Sequence, residues 1–121
     1  MAEFNIGFQK SNHYKTVSYE NGVATVEAEV QEDSLNPLGI PHGGFIFGLG
    51  DSAMGCAVFA NGRNAVTINS NIYYLKVGKE KKLRAEAKIT KDGKKVCFTE
   101  AKIYSGENLI ATMTGNYYYV D

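Results

Sequence analysis

The chain has 121 residues, 44% hydrophobic and 21% charged, with thirteen basic side chains balancing thirteen acidic ones. That size and balance suit a single globular domain over residues 1–121, one that buries roughly two-thirds of its unfolded surface around one core. A formal net charge of zero gives no overall field to recruit nucleic acid or an anionic membrane, so neither is expected as a partner.

The opening residues Met1-Ala2-Glu3-Phe4-Asn5 lack the basic start and apolar run of a signal peptide. No apolar span of about 18 residues follows, and a cytoplasmic location is expected. Phe4, Ile6 and Phe8 alternate, which suits an arm or a short helix. His13 stands alone and is read as surface structure.

From Tyr14 the period is two. Tyr14–Glu20 and Val23–Val30 flank Asn21-Gly22, a dipeptide that tolerates positive φ and closes hairpins. Ala24, Val26, Ala28 and Val30 alternate with Thr25, Glu27 and Glu29, so one face of the second strand is dry and the other wet. A loop over residues 31–41 then leads through Pro37 and Pro41 to His42-Gly43-Gly44.

Apolar residues between Gly43 and Phe59 cover nearly every direction of a helix, the pattern of one wrapped by protein on most sides. Asn61-Gly62 supplies its stop. Gly48, Gly50 and Gly55 each cost about 1 kcal/mol relative to Ala within a helix, which calls for the close approach of another backbone, from the same chain or a second subunit. Four strands follow. Val66, Ile68, Ile72 and Tyr74 alternate with Thr67, Asn69, Asn71 and Tyr73, and Leu83 to Ile89 alternate in the same way. Asp92-Gly93 turns into a strand from Val96 to Tyr104, and Ser105-Gly106 into one from Leu109 to Val120. Cys56 and Cys97 lie within apolar patterns without metal-ligand spacing and read as buried free thiols. Tyr73-Tyr74 and Tyr117-Tyr118-Tyr119 are divided between strand faces, so edge-strand packing explains them better than base stacking.

Two strands, one buried helix and four further strands make an α+β domain with an antiparallel sheet wrapped around a central helix. That order resembles the hotdog fold. Asn36, His42-Gly43-Gly44 and Asp51 resemble the signature of its PaaI-like acyl-CoA thioesterases, within the 4-hydroxybenzoyl-CoA thioesterase-like superfamily. The strand from Ala65 to Leu75 is similar to the family's next segment, and the likeness spans roughly residues 14–120.

Glycines opening a helix expose backbone N–H groups at its positive end, where negative charge is held. In thioester hydrolysis the departing CoA thiolate needs no strong acid, having a pKa near about 8.5. What the reaction needs is a nucleophile or activated water and donors for the carbonyl oxygen. Gly43 and Gly44 amides suit the second need. Asp51, the sole carboxylate of an apolar helix, suits the first. Helix rise puts Asp51 about 12 Å beyond the mouth, so a two-fold dimer with antiparallel helices is required to bring it to Gly43 of the partner subunit.

The resemblance implies a site at the dimer interface with Asp51 as nucleophile or general base and the Gly43 N–H as oxyanion donor. It also implies that Asn36 and His42 position the thioester and water, with Thr67 where some relatives carry a water-assisting Ser. Each of these three has an ordinary reading as well: a turn residue, a structural histidine and a strand Thr. Gly44 allows close approach of substrate. Lys76 and Lys79, in the basic run 76–82, either meet CoA phosphates or form a solvated turn. The expectation is a homodimer, or a dimer of dimers, that hydrolyses aryl- or medium-chain acyl-CoA without metal or redox cofactor. Alternatives are a non-catalytic acyl-CoA binder and a hydroxyacyl thioester dehydratase, whose Pro-Gly after the histidine is here replaced by Gly43-Gly44.

Overall fold

Asn21 and Gly22 both take positive φ, 53° and 75°, and close the first hairpin between β1 (Tyr14–Glu20) and β2 (Val23–Glu29). The computed structural model describes residues 4–121. Before β1, a single turn of helix, α1 (Gly7–Ser11), is anchored by aromatic contacts: Phe8 meets Tyr14 at 5.9 Å, while Phe4 stands edge-on to Tyr19 at 4.9 Å and to Phe59 at 5.5 Å. After β2, the 3-10 turn at Glu32–Ser34 and a loop lead into the long helix α2 (Gly43–Phe59). The strands β3 (Ala65–Tyr74), β4 (Lys82–Asp92), β5 (Val96–Ser105) and β6 (Asn108–Tyr119) complete the chain.

All six strands form one antiparallel sheet in the order β1-β2-β4-β5-β6-β3. The α+β hotdog architecture expected from the sequence is thus the one observed. Small residues explain how the sheet curls around α2. Ala24 and Ala28 of β2, Ala85 and Ala87 of β4 and Ala101 of β5 are buried beneath the helix, which therefore lies close to the central strands. Leu49, Met54 and Val58 fill the space between, each burial contributing about 1.5–3 kcal/mol.

The helix is covered less evenly than its sequence suggests. Phe47, Gly48, Asp51, Ser52, Gly55 and Phe59 form a half-buried stripe along one side. Within the chain, side chains rather than another backbone approach its glycines. A Cβ on Gly48 would lie 2.6 Å from the Tyr14 hydroxyl, and one on Gly50 would lie 3.0 Å from Ile103 and against Met113. Gly55 has only Tyr117, at 4.0 Å from such a Cβ. α2 ends where Gly62 takes φ 79°.

β6 is an interior strand, flanked by β5 and β3, so Tyr117 and Tyr119 are core residues rather than edge packing. The true edges are β1 and β3. β3 departs from strict alternation: its pairing with β6 shifts between Thr67 and Asn69, leaving Ile68 as a bulge. Regular alternation would turn Thr67 to the face opposite Ile72 and Tyr74. The bulge turns it inward instead, onto α2. No helix among the described residues is long and apolar enough to cross a membrane.

Candidate active site

Residues 34–42 shape the mouth of α2. Asn36 ties the loop to itself: its Oδ1 accepts from the backbone N–H of Leu38 at 2.9 Å and of Ile40 at 3.3 Å, while its own N–H donates to the Ile40 carbonyl at 2.8 Å. The Asn36 amide nitrogen has no acceptor among the described residues. Ser34 and His42 are joined through the main chain, and Leu35 bridges Pro41, which delivers His42 to the N-cap position.

His42 caps the helix. Its Nδ1 accepts from the Gly44 N–H at 2.8 Å, and its carbonyl accepts from Phe45 and Ile46. The pair of glycyl donors expected from the sequence is therefore reduced to one, because the cap consumes the Gly44 amide. Only the Gly43 N–H in the first turn lacks an acceptor among the described residues. Gly43 is held from its other side, where the Tyr74 hydroxyl, at the end of β3, donates to its carbonyl at 2.7 Å. A Cβ on Gly43 would sit 3.1 Å from that hydroxyl, and one on Gly44 would sit 3.1 Å from the His42 ring, so glycine leaves both approaches open.

Asp51 lies two turns further along α2, half-buried beneath the sheet. Thr67, turned inward by the bulge, donates to its Oδ1 at 3.0 Å. Tyr117 donates to the same oxygen at 2.5 Å and lies 3.0 Å from the Asp51 carbonyl. Asp51 Oδ2 accepts nothing from the described residues. Tyr117 is the site neighbour that sequence reasoning missed. Its inward position on β6 was readable from strand alternation, but its meeting with Asp51 depends on how the helix crosses the sheet.

Burial first, and the negative charge of Asp51 second, push the hydroxyls of Tyr14 and Tyr117 well above the usual 10.0. The folded chain thus keeps these protons where the unfolded chain gives them up. Stability is whole below pH 10 and drains as pH rises beyond it. In an alkaline titration followed by tyrosinate absorbance, the last of the eight tyrosines should ionise only as the far-ultraviolet helix signal collapses. Titration of all of them as one class in a chain that stays folded would contradict the burial of these two. Burial likewise pushes up the thiols of Cys56 and Cys97, which are free and buried.

The remaining candidates stand apart from Asp51. Lys76 and Lys79 are exposed in the β3–β4 loop, which Ser105 braces by accepting from the amides of Lys79 and Glu80 at 3.1 and 3.0 Å. Within one chain the structure joins Asp51 to Thr67, and His42 to Gly44, but leaves the carboxylate and the helix mouth separated along α2.

The family pattern described as Thioesterase superfamily matches residues 38–112. A protein of Archaeoglobus fulgidus, described provisionally as an esterase, is 35% identical over 109 residues, covering 88% of this chain and 71% of its own. The PaaI protein from the phenylacetic acid degradation operon of Escherichia coli superposes with a TM-score of 0.91 at 26% identity, covering 97% of this chain and 86% of its own. A hypothetical thioesterase of Streptococcus pneumoniae, solved with coenzyme A, superposes with a TM-score of 0.84 at 28% identity, covering 88% of each chain.

Proposed function

The chain belongs to the thioesterase superfamily and is a PaaI-like hotdog thioester hydrolase; from that premise we propose that it hydrolyses aryl- or medium-chain acyl-CoA thioesters to the free acid and coenzyme A. The observation that carries this reading is the unclaimed Gly43 N–H, the one amide of the first turn of α2 left for an incoming carbonyl oxygen. Fixed in place and backed by the positive end of α2, it opposes the developing oxyanion without reorganisation.

Asp51 Oδ2 either attacks the carbonyl carbon or takes a proton from a water that does. In both routes the electrons of the C–S bond leave with the CoA thiolate, and in the first a water then opens the acyl–Asp51 anhydride, releasing the free acid and restoring the carboxylate. With Nδ1 engaged by Gly44, a neutral His42 carries its ring proton on Nε2, and this and the Asn36 amide nitrogen are the donors left to orient substrate and water. Thr67 commits its hydroxyl proton to Asp51 and keeps its lone pairs for water. Gly44 gives the thioester room. Lys76 and Lys79 meet the CoA phosphates, and the scheme uses no metal or redox group.

The site closes between two subunits. β3 leaves one edge unpaired, and its Val66 and Ile68 are more than half exposed. Antiparallel pairing of two β3 strands about a two-fold axis at Asn71 keeps inward residues opposite inward residues. Because the bulge skips Ile68, that register sets Thr67 opposite Tyr74 of the partner subunit. Asp51, beneath Thr67, is then brought toward Gly43 of the partner subunit, beneath its Tyr74. Tyr73, Phe98 and Tyr118, exposed on the sheet face away from α2, suit the second contact of a dimer of dimers.

A thiol-release assay across a panel of acyl-CoAs tests the activity, and subunit complementation tests the shared site. Asp51→Ala and Gly43→Pro are each expected to be nearly inactive alone. Co-expressed in equal amounts, they form mixed dimers with one intact site, so about a quarter of wild-type turnover should return. No recovery in mixed dimers of demonstrated composition would overturn the two-chain site.

A further inference from the structure

We propose that Tyr117 is a positioning residue of the hydrolytic site: its hydroxyl locks the Asp51 carboxylate so that Oδ2 alone is presented to substrate. The proposal rests on the reading of Asp51 as nucleophile or general base. Tyr117 and Thr67 are directly opposed across the β6–β3 pairing, both turned toward α2, and both donate to one oxygen, Oδ1, at 2.5 and 3.0 Å. A carboxylate with both donors on one oxygen cannot rotate without breaking them. Its second oxygen faces away from the pair with its lone pairs unspent.

The two donors are not equal. Thr67 is exposed on an edge strand of the sheet and makes the longer bond. Tyr117 is 3% exposed on an interior strand, paired through its backbone with Thr67 on one side and Cys97 on the other. Its ring has no room to swing, so the shorter bond is also the rigid one. The other titratable groups around this pair are Tyr14, which donates to the Phe45 carbonyl, and Cys56 on α2. Both are kept neutral by burial.

Tyr117→Phe keeps the ring and deletes only the hydroxyl. We expect kcat to fall about tenfold to a hundredfold with KM changed less than about twofold, as for a misplaced reacting group. A ring-fluorinated tyrosine installed at position 117 keeps the hydroxyl donor and the ring, and should keep kcat within about threefold of wild type, which decides the matter if the Phe variant does not fold. Wild-type kcat in the folded Phe variant, or a fluorinated variant impaired about tenfold or more, would overturn the proposal. Asp51→Asn, assayed in parallel, separates the two levels. If it keeps wild-type turnover, the carboxylate reading itself fails. If it is inactive while the Tyr117 variants behave as wild type, the positioning role alone fails.

Discussion

Asp51→Ala should lower kcat for acyl-CoA hydrolysis by about a hundredfold or more while leaving the fold intact. The loss follows from removing the group that attacks the carbonyl or activates water, for which no second carboxylate exists on α2. The intact fold follows from what remains. Alanine favours helix, and the side chain removed is only half-buried. Tyr117, whose buried hydroxyl would otherwise be orphaned, keeps the backbone carbonyl of residue 51 as acceptor at 3.0 Å. Stability should therefore change by about 1 kcal/mol or less, the net worth of an ordinary hydrogen bond. Thiol release over a range of acyl-CoA concentrations, paired with a thermal melt, checks both halves. Unchanged turnover would remove Asp51 from the chemistry.

Gly43→Pro should be as damaging through a different atom. It deletes the one unclaimed N–H of the first turn, and loss of a single oxyanion donor costs about a hundredfold to a thousandfold in kcat, or about 3–4 kcal/mol. The backbone accommodates the change. Gly43 is the first helical residue, where proline is well tolerated, and His42 before it has φ −65° and ψ 140°, the extended conformation that a following proline prefers. The added carbons press on Tyr74, which is 51% exposed and whose hydroxyl bonds the Gly43 carbonyl. Gly43→Ala is the control, since it brings the same Cβ to Tyr74 and retains the N–H. If both variants lose equal activity, crowding of the helix mouth explains the loss and the amide does not.

The strands and α2 were readable because each is written in local chemistry. Positive-φ dipeptides at Asn21-Gly22 and Asp92-Gly93, alternation in β2 and β4, and an apolar run opened by glycines need no knowledge of the rest of the chain. The spacing from Asn36 to Asp51 singled out the candidate site for the same reason, being confined to one loop and one helix. What escaped was set by tertiary placement. Capping of Gly44 by His42 depends on a side-chain rotamer, and Tyr117 meets Asp51 across 66 positions of sequence. β6 could not be recognised as interior because hairpin order alone does not say that β3 adds to its far side. The Ile68 bulge escaped because an extra residue in a strand leaves no mark in an alternating pattern of similar side chains.

That extra residue makes the bend in β3 a condition of the chemistry as well as of the fold. Loops elsewhere can drift in size over evolutionary time with little consequence. Run straight with Ile68 kept, the strand would rotate everything before Asn69 by half a turn and set Ile68 opposite Tyr117, exchanging the hydroxyl that meets Asp51 for an aliphatic side chain; loss of residue 68 would instead leave Thr67 opposite Tyr117. Lineages that keep hydrolysis should therefore keep either the bulge or a strand one residue shorter at this point, and not a straight strand of the present length.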